Sequence, residues 1–325
     1  MPTIALCNLD FDNTDFERTM AAKAGFSITA SPGRDPQAII EGAHGAAGVE
    51  TSYGQFTRKV FEALPQLKVV SRTGVGVDTV DLQAATDHGV VVCNVPGYAT
   101  EVVSDHAIAL TLDVLRRTNE LDADLRAGTW DFARRRPLGQ VRGRTFGIAG
   151  MGHIGRAAAR KAAGLGFKVA CWSHALTPGT TTPEGYPVMT LEGLLKTCDV
   201  VSFHTALTPE THHLLDADKL ALMKPGAVVV NTSRGAVIDT VALARALEEG
   251  RLWGAGIDVF EEEPILPDDP LLKAPHTVLT PHCAYWSEES GVELRTRAMQ
   301  HVIDVLEGRR PEDVVNPEVY GERQE

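Results

Sequence analysis

The sequence predicts an α/β fold in which two domains each carry a parallel sheet and one domain is inserted into the other. Two observations predict it. Apolar, β-prone runs alternate with helix-forming runs from Thr3 onward, the pattern that lays helices over a parallel sheet. The motif Gly150-Met151-Gly152-His153-Ile154-Gly155 then falls between a β-prone run, residues 145–149, and good helix formers, residues 156–165. The inserted domain is therefore read as a Rossmann dinucleotide-binding domain and the outer one as flavodoxin-like.

The elements follow in order. Residues 3–6, 27–30, 46–49, 68–72 and 90–94 are short apolar strands, with helices expected at 16–24, 55–64 and 80–86. Pro96-Gly97 punctuates the chain. Residues 102–126 are apolar at helical spacing and are expected to form one long helix. After the glycine motif come a strand at 167–172 and four more at 200–204, 227–231, 255–259 and 277–280. A last helix, residues 287–307, returns the chain toward its start. The expected division is a discontinuous domain of residues 1–98 and 286–325, with a dinucleotide-binding domain at 99–285.

Each glycine of the motif has its own task. Gly150 permits a sharp turn, Gly152 lets the backbone approach a pyrophosphate, and Gly155 lets helix and strand pack closely. The N–H groups of the first helical turn, at His153 and Ile154, then face the phosphates.

Composition narrows the function classes. The 325 residues are 43% hydrophobic and 23% charged, with a net charge of −12. That charge argues against nucleic acid or an anionic membrane as partner, and no apolar run is long enough to span a bilayer. Asp10, Asp12, Asp15 and Glu17 interrupt the N-terminal segment too early for a signal peptide. Cys7, Cys93, Cys171, Cys198 and Cys283 are scattered and include no Cys-x-x-Cys pair, so neither a disulfide framework nor a structural metal is expected, and the compartment is read as the cytoplasm.

Three segments end strands, where open α/β sheets bind ligands. They are Asn231-Thr232-Ser233-Arg234-Gly235, the acidic run from Asp258 through Glu261-Glu262-Glu263-Pro264, and Thr280-Pro281-His282-Cys283. Taken singly, Arg234 reads as a surface ion pair, the acids as a solvated face, and His282 as structural. With Gly74-Val75-Gly76-Val77-Asp78, Asn94-Val95-Pro96-Gly97 and the glycine motif, in this order, they resemble the D-isomer-specific 2-hydroxyacid dehydrogenase family.

That resemblance implies an enzyme interconverting a 2-keto acid and a D-2-hydroxy acid by hydride transfer with NAD(P). His282 would be the acid–base, Glu263 would orient and stabilise its ring, and Arg234 would bind the substrate carboxylate. Val75 and Gly76 would hold that carboxylate through backbone N–H groups. Asp258 would accept the nicotinamide carboxamide, and Thr205, Pro209 and Thr232 would line the cofactor. The two domains would close by hinging near Pro96 and Tyr285, and a homodimer would form through the helix after Asn94.

The run from Pro281 to Glu289, with Thr211-His212-His213-Leu214-Leu215, is also similar to the subgroup containing the C-terminal-binding-protein corepressors. Trp286 or Tyr285 would then cover an apolar part of the substrate, or pack between domains. A dinucleotide-sensing corepressor-like binding protein is the alternative function. The chain departs from the family pattern in two places. Ser173 and His174 stand where an NAD site wants a carboxylate, so NADP(H) is favoured over NAD(H), with dual use as the alternative reading. Several phosphoglycerate dehydrogenases of this family place an arginine near Thr51 and none is expected here, so the resemblance disfavours a phosphorylated substrate, and Tyr53 would meet a small or apolar one. Glyoxylate or hydroxypyruvate fits this description.

Overall fold

The computed structural model describes residues 2–11 and 13–321; Met1, Asp12 and residues 322–325 of the expected tail lie outside the described residues. The chain forms two compact units, Met1–Tyr98 with Ser287–Glu325, and Ala99–Trp286.

The first unit is built on five parallel strands, β1 (Thr3–Cys7), β2 (Ser27–Ser31), β3 (Gly48–Thr51), β4 (Val69–Arg72) and β5 (Val91–Cys93). Their order is β2-β1-β3-β4-β5, the doubly wound arrangement of flavodoxin-like sheets. Strands β3, β4 and β5 are buried throughout, as expected of parallel strands covered on both faces. One face is covered by the helix Glu288–Leu306, which brings Met299, Val302 and Ile303 against Ile4, Val69 and Val91. Gly48 makes room for it, because a Cβ there would lie 2.6 Å from Val302 Cγ1. Ser287 and Ser290 form a capping box at the start of this helix. Asn316 ties the segment after it to β5, accepting from Val92 N–H at 2.7 Å and donating to the Val90 carbonyl at 2.9 Å.

The sequence reading missed a helix at Pro36–Gly42. Its signals were local: Asp35 accepts from the N–H groups of Gln37 and Ala38, and proline occupies the first turn.

The second unit carries six parallel strands, β6 (Thr145–Ala149), β7 (Lys168–Trp172), β8 (Val200–Phe203), β9 (Val228–Asn231), β10 (Gly254–Ile257) and β11 (Thr277–Leu279). They lie in the order β11-β10-β9-β8-β6-β7. Beyond β7, Val188 makes a parallel bridge to Cys171. Cys171 N–H donates to the Pro187 carbonyl at 3.0 Å, and Met189 N–H to the Cys171 carbonyl at 2.8 Å. Counting this bridge as a shrunken third strand gives the Rossmann order, with one further strand at the far edge. A single bridging residue carries no periodicity, so the sequence reading passed over it.

The single long helix expected at 102–126 is corrected by the structure. It is two helices, Thr100–Arg116 and Thr118–Arg126, broken at Arg117, whose backbone is left-handed at φ 52°. The Arg117 guanidinium stacks 4.8 Å from the Trp253 ring centre. Asp113 restarts the chain as a helix by accepting from Asn119 N–H at 2.8 Å and from the Thr118 hydroxyl. Tertiary contacts thus override a continuous helical pattern.

Candidate active site

The glycine loop between β6 and the helix His153–Gly164 divides its tasks cleanly. Gly150 is at φ +107°, and a Cβ there would sit 2.6 Å from the His204 carbonyl oxygen. A Cβ on Gly155 would lie 1.9 Å from the Gly150 oxygen, so the helix can approach the loop only because residue 155 is glycine. Gly152, the residue capping the helix, has nothing within 4 Å of its missing Cβ. One glycine turns, one packs, and the third leaves open room beside His153 and Ile154 at the start of the helix.

The residues at the ends of the neighbouring strands fit a dinucleotide there. Thr205 follows β8 and Thr232 follows β9, and the hydroxyl of each is buried without a hydrogen-bond partner. A buried unmatched hydroxyl costs about 1–3 kcal/mol, which a polar ligand can recover. Pro209 is exposed in a turn fixed by Thr211, whose hydroxyl accepts from Thr208 N–H and donates to the Ala206 carbonyl, each at 2.7 Å. Ser173 and His174 follow β7, with the His174 ring 4.8 Å from that of Trp172. The structure adds Glu210, which the sequence reading missed. Its carboxyl is held below the usual range by the Thr208 hydroxyl first, and also by the nearby His174.

Arg234, Glu263 and His282 come from three loops at the same edge of this sheet. Asn231 shapes the first loop: its side chain accepts from Ser233 N–H at 3.0 Å and donates to the Arg234 carbonyl at 2.9 Å. The Arg234 guanidinium donates to the Ser233 carbonyl at 2.8 Å. Gly235 lets this loop touch the next, since a Cβ there would be 1.9 Å from the Phe260 carbonyl carbon.

Beyond that contact the acidic run splits. Glu261 braces its surroundings, accepting from Thr240 N–H and meeting His213 Nε2, each at 2.9 Å. Glu263 instead reaches His282 Nδ1 with one oxygen at 2.7 Å and Phe260 N–H with the other at 3.0 Å. Burial pushes the Glu263 carboxyl up, but His282, the Phe260 N–H and the charge of Arg234 together hold it below the usual range. It is therefore a carboxylate at neutral pH.

His282 has a left-handed backbone at φ 52°. Asp258, wholly buried at the end of β10, enforces it. Its carbonyl accepts from His282 N–H at 2.7 Å. Its carboxylate accepts from Cys283 N–H and Ala284 N–H at 3.0 Å each and from the Thr280 hydroxyl at 2.5 Å. The Tyr285 ring stands edge-on to His282 at 6.0 Å, and Trp286, 42% exposed, stands edge-on to Tyr285 at 6.2 Å.

In the first unit, Val75 is exposed and Gly76 half-buried in the loop after β4. Val95 N–H donates to the Gly74 carbonyl at 2.9 Å and the Asn94 amide to the Val75 carbonyl at 2.6 Å. Strand pairing places Arg72 beside Thr51. The Arg72 guanidinium lies 5.6 Å from the Tyr53 ring centre, and a Cβ on Gly74 would fall 1.2 Å from its Nη1. An arginine thus stands beside Thr51 in space although none is near it in sequence.

A family model described as D-isomer specific 2-hydroxyacid dehydrogenase, NAD binding domain, matches residues 108–284. The chain belongs to the D-isomer-specific 2-hydroxyacid dehydrogenase family. A glyoxylate reductase of Korarchaeum cryptofilum is 43% identical over 264 residues, 80% of each chain. One from Thermococcus litoralis is 38% identical over 271 residues, 81% of each. The crystal structure of a D-lactate dehydrogenase from Aquifex aeolicus, complexed with NAD and lactic acid, superposes with a TM-score of 0.87. It is 26% identical and covers 96% of this chain and 99% of its own.

The dehydrogenase is thus an oxidoreductase that interconverts 2-keto and 2-hydroxy acids with a nicotinamide dinucleotide, and the corepressor alternative is not favoured by these relatives. Among its described residues, no helix is long and apolar enough to cross a membrane.

Proposed function

We propose that the enzyme reduces glyoxylate, or a similarly small 2-keto acid, to its hydroxy acid, with His282 as proton donor. The observation that carries this is the 2.7 Å contact between His282 Nδ1 and a Glu263 carboxylate kept ionised beside Arg234. Glu263 accepts the Nδ1 hydrogen, which leaves Nε2 as the nitrogen that exchanges a proton with the substrate oxygen. Arg234 offers the planar fork that matches a carboxylate. Asp258 positions His282 through the loop it clamps. The bound nicotinamide supplies or accepts the hydride at C2. Gly150, Gly152, His153, Ile154, Gly155, Ser173, His174, Thr205, Pro209, Thr232 and Asp258 are the proposed dinucleotide contacts.

Substrate binding is assigned to the first unit as well, at Tyr53, Val75 and Gly76, and in the second unit to Trp286. The Arg72 guanidinium beside Tyr53 adds positive charge, which suits an anionic acid, and its place beside Thr51 removes the argument against a phosphorylated one. The relatives named glyoxylate reductase support the choice of substrate.

NADP(H) is the proposed preference, because Ser173 and His174 place no carboxylate at the end of β7. Glu210 beside His174 is the opposing charge, and it supports use of NAD(H) too. Incubating the protein with glyoxylate, hydroxypyruvate, pyruvate or phenylpyruvate, with NADPH and NADH in parallel, tests both points by loss of reduced-cofactor absorbance. Oxidation with a small keto acid, faster with NADPH, is expected; silence with all four overturns the substrate class. Ser173→Asp is expected to lower the NADPH/NADH ratio by about 10-fold, roughly 1.4 kcal/mol, through repulsion of a 2′-phosphate.

A homodimer is proposed on the exposed apolar side chains Leu125, Trp130 and Phe132, which are 53%, 90% and 58% exposed. Sedimentation is expected to show a dimer that Trp130→Glu converts to monomer; a monomeric parent chain refutes the assignment. Five unpaired cysteines fit a reducing compartment, and the cytoplasm is the proposed location.

A further inference from the structure

We propose that His106, Asp258 and Cys283 form a transition-metal site of zinc-ion type, whose occupation disrupts the loop that carries His282. The three residues are far apart in sequence and were not expected to bind metal. The helix Thr100–Arg116, the end of β10 and the loop after β11 bring their ligand atoms within 4.8 Å of one another. His106 Nε2 is 3.6 Å from Asp258 Oδ1, and Cys283 Sγ is 3.7 Å from the same oxygen. A tetrahedral zinc ion with bonds of about 2.0–2.3 Å spaces such ligand atoms about 3.3–3.5 Å apart. Two edges of the triangle are therefore within a few tenths of an ångström of a coordination face, and side-chain rotation closes the third. Imidazole, carboxylate and thiolate suit zinc and related borderline-soft ions, not magnesium or calcium. A water completes the fourth position.

Access supports the assignment. Cys7, Cys93, Cys171 and Cys198 are buried, whereas Cys283 is partly exposed, and the His106 side chain is 24% exposed.

The proton balance also follows from the geometry. The one hydroxyl hydrogen of Thr280 goes to Asp258 Oδ1, so His106 donates to Thr280 Oγ1 through Nε2–H at 2.9 Å. Metal binding moves that hydrogen to Nδ1, forms the metal–nitrogen bond, and releases the Cys283 thiol proton to solvent as the metal–sulfur bond forms. Nothing is oxidised or reduced. Thr280 loses its bond from His106 and faces a competitor for Asp258 Oδ1. Because Asp258 also holds the Cys283 and Ala284 N–H groups, re-aiming it displaces His282.

The test is titration of the full chain with Co²⁺ alone, read by absorbance. A thiolate-to-cobalt charge-transfer band saturating at one equivalent, and bleached by Zn²⁺, is expected. Cys283→Ala should abolish the band; if it fails to fold, Cys283→Ser should do the same. His106→Gln should keep the band but weaken binding ~10-fold or more, since even partners outside the ligand shell matter that much. No band in the parent chain, or a band surviving in Cys283→Ala or Cys283→Ser, overturns the site. The inhibitory consequence rests on the proposed reductase function and is read separately. Zn²⁺ should slow keto-acid reduction, a chelator should restore it, and Cys283→Ala should be insensitive. Equal inhibition of Cys283→Ala overturns the inhibitory role.

Discussion

His282→Ala lowers turnover ~10²-fold or more while dinucleotide binding stays within about twofold, if His282 is the proton donor. The separation of these two readouts is what the geometry demands. His282 reaches Glu263 through Nδ1 at 2.7 Å from the loop after β11, whereas the glycine motif lies between β6 and the helix His153–Gly164. The backbone around it is held by Asp258, through the His282, Cys283 and Ala284 N–H groups, and these bonds survive removal of the ring. Alanine keeps the same Cβ in the left-handed conformation at φ 52°, so the backbone strain, about 1–2 kcal/mol, is present in both proteins. Single-turnover rates and cofactor fluorescence titrations measure the two quantities. A variant with unchanged turnover removes His282 from the chemistry, and one that has lost cofactor binding makes its role structural.

Gly235→Ala is expected to be nearly as damaging, although it adds one methyl group outside the reacting atoms. Its Cβ would be 1.9 Å from the Phe260 carbonyl carbon, 2.0 Å from the Phe260 oxygen and 2.4 Å from Glu261 N. All three are backbone atoms, so the two loops must separate by an ångström or more. One loop carries Arg234 and the other Glu263. A misplacement of about 1 Å can cost ~10²-fold in rate, and overpacking of this kind costs about 1–3 kcal/mol of stability. Gly164→Ala is the matched control, because nothing lies within 4 Å of its missing Cβ. Turnover and thermal unfolding of the pair decide the matter. Equal behaviour of the two variants would show that loop contact at Gly235 does not set the site.

Both predictions concern residues that were visible in the sequence, for different reasons. The glycine motif is legible because each glycine answers a backbone constraint within six consecutive residues. Arg234, Glu263 and His282 carry no such local mark. They stood out only as part of an ordered pattern resembling a family, since alone each looks like a surface charge or a structural ring. What stayed hidden depends on contacts across the sheet or between distant segments. Arg72 meets Thr51 through strand register, which no sequence window reports. Arg117 breaks a helix whose apolar spacing continues through it, and its guanidinium meets Trp253 and His276, both distant in sequence. Val188 makes a single bridge, too short for any periodic signal. The helix at Pro36–Gly42 is the exception: its Asp-Pro start was local and readable.

The helix Glu288–Leu306 sets an order of events during synthesis. Val69 and Val91 find Met299, Val302 and Ile303 only after the ribosome has passed the whole intervening unit, Ala99–Trp286. At about 5–20 residues per second, the 188 residues from 99 to 286 (286 − 98) take roughly 10–40 seconds to emerge. Through that interval the N-terminal sheet must keep the part of its apolar face around Val69 and Val91 uncovered, while the later unit already has its full sequence and can finish folding first. The nascent chain is therefore most exposed to chaperones and to aggregation at this sheet face, and the interval ends when the helix Glu288–Leu306 is released.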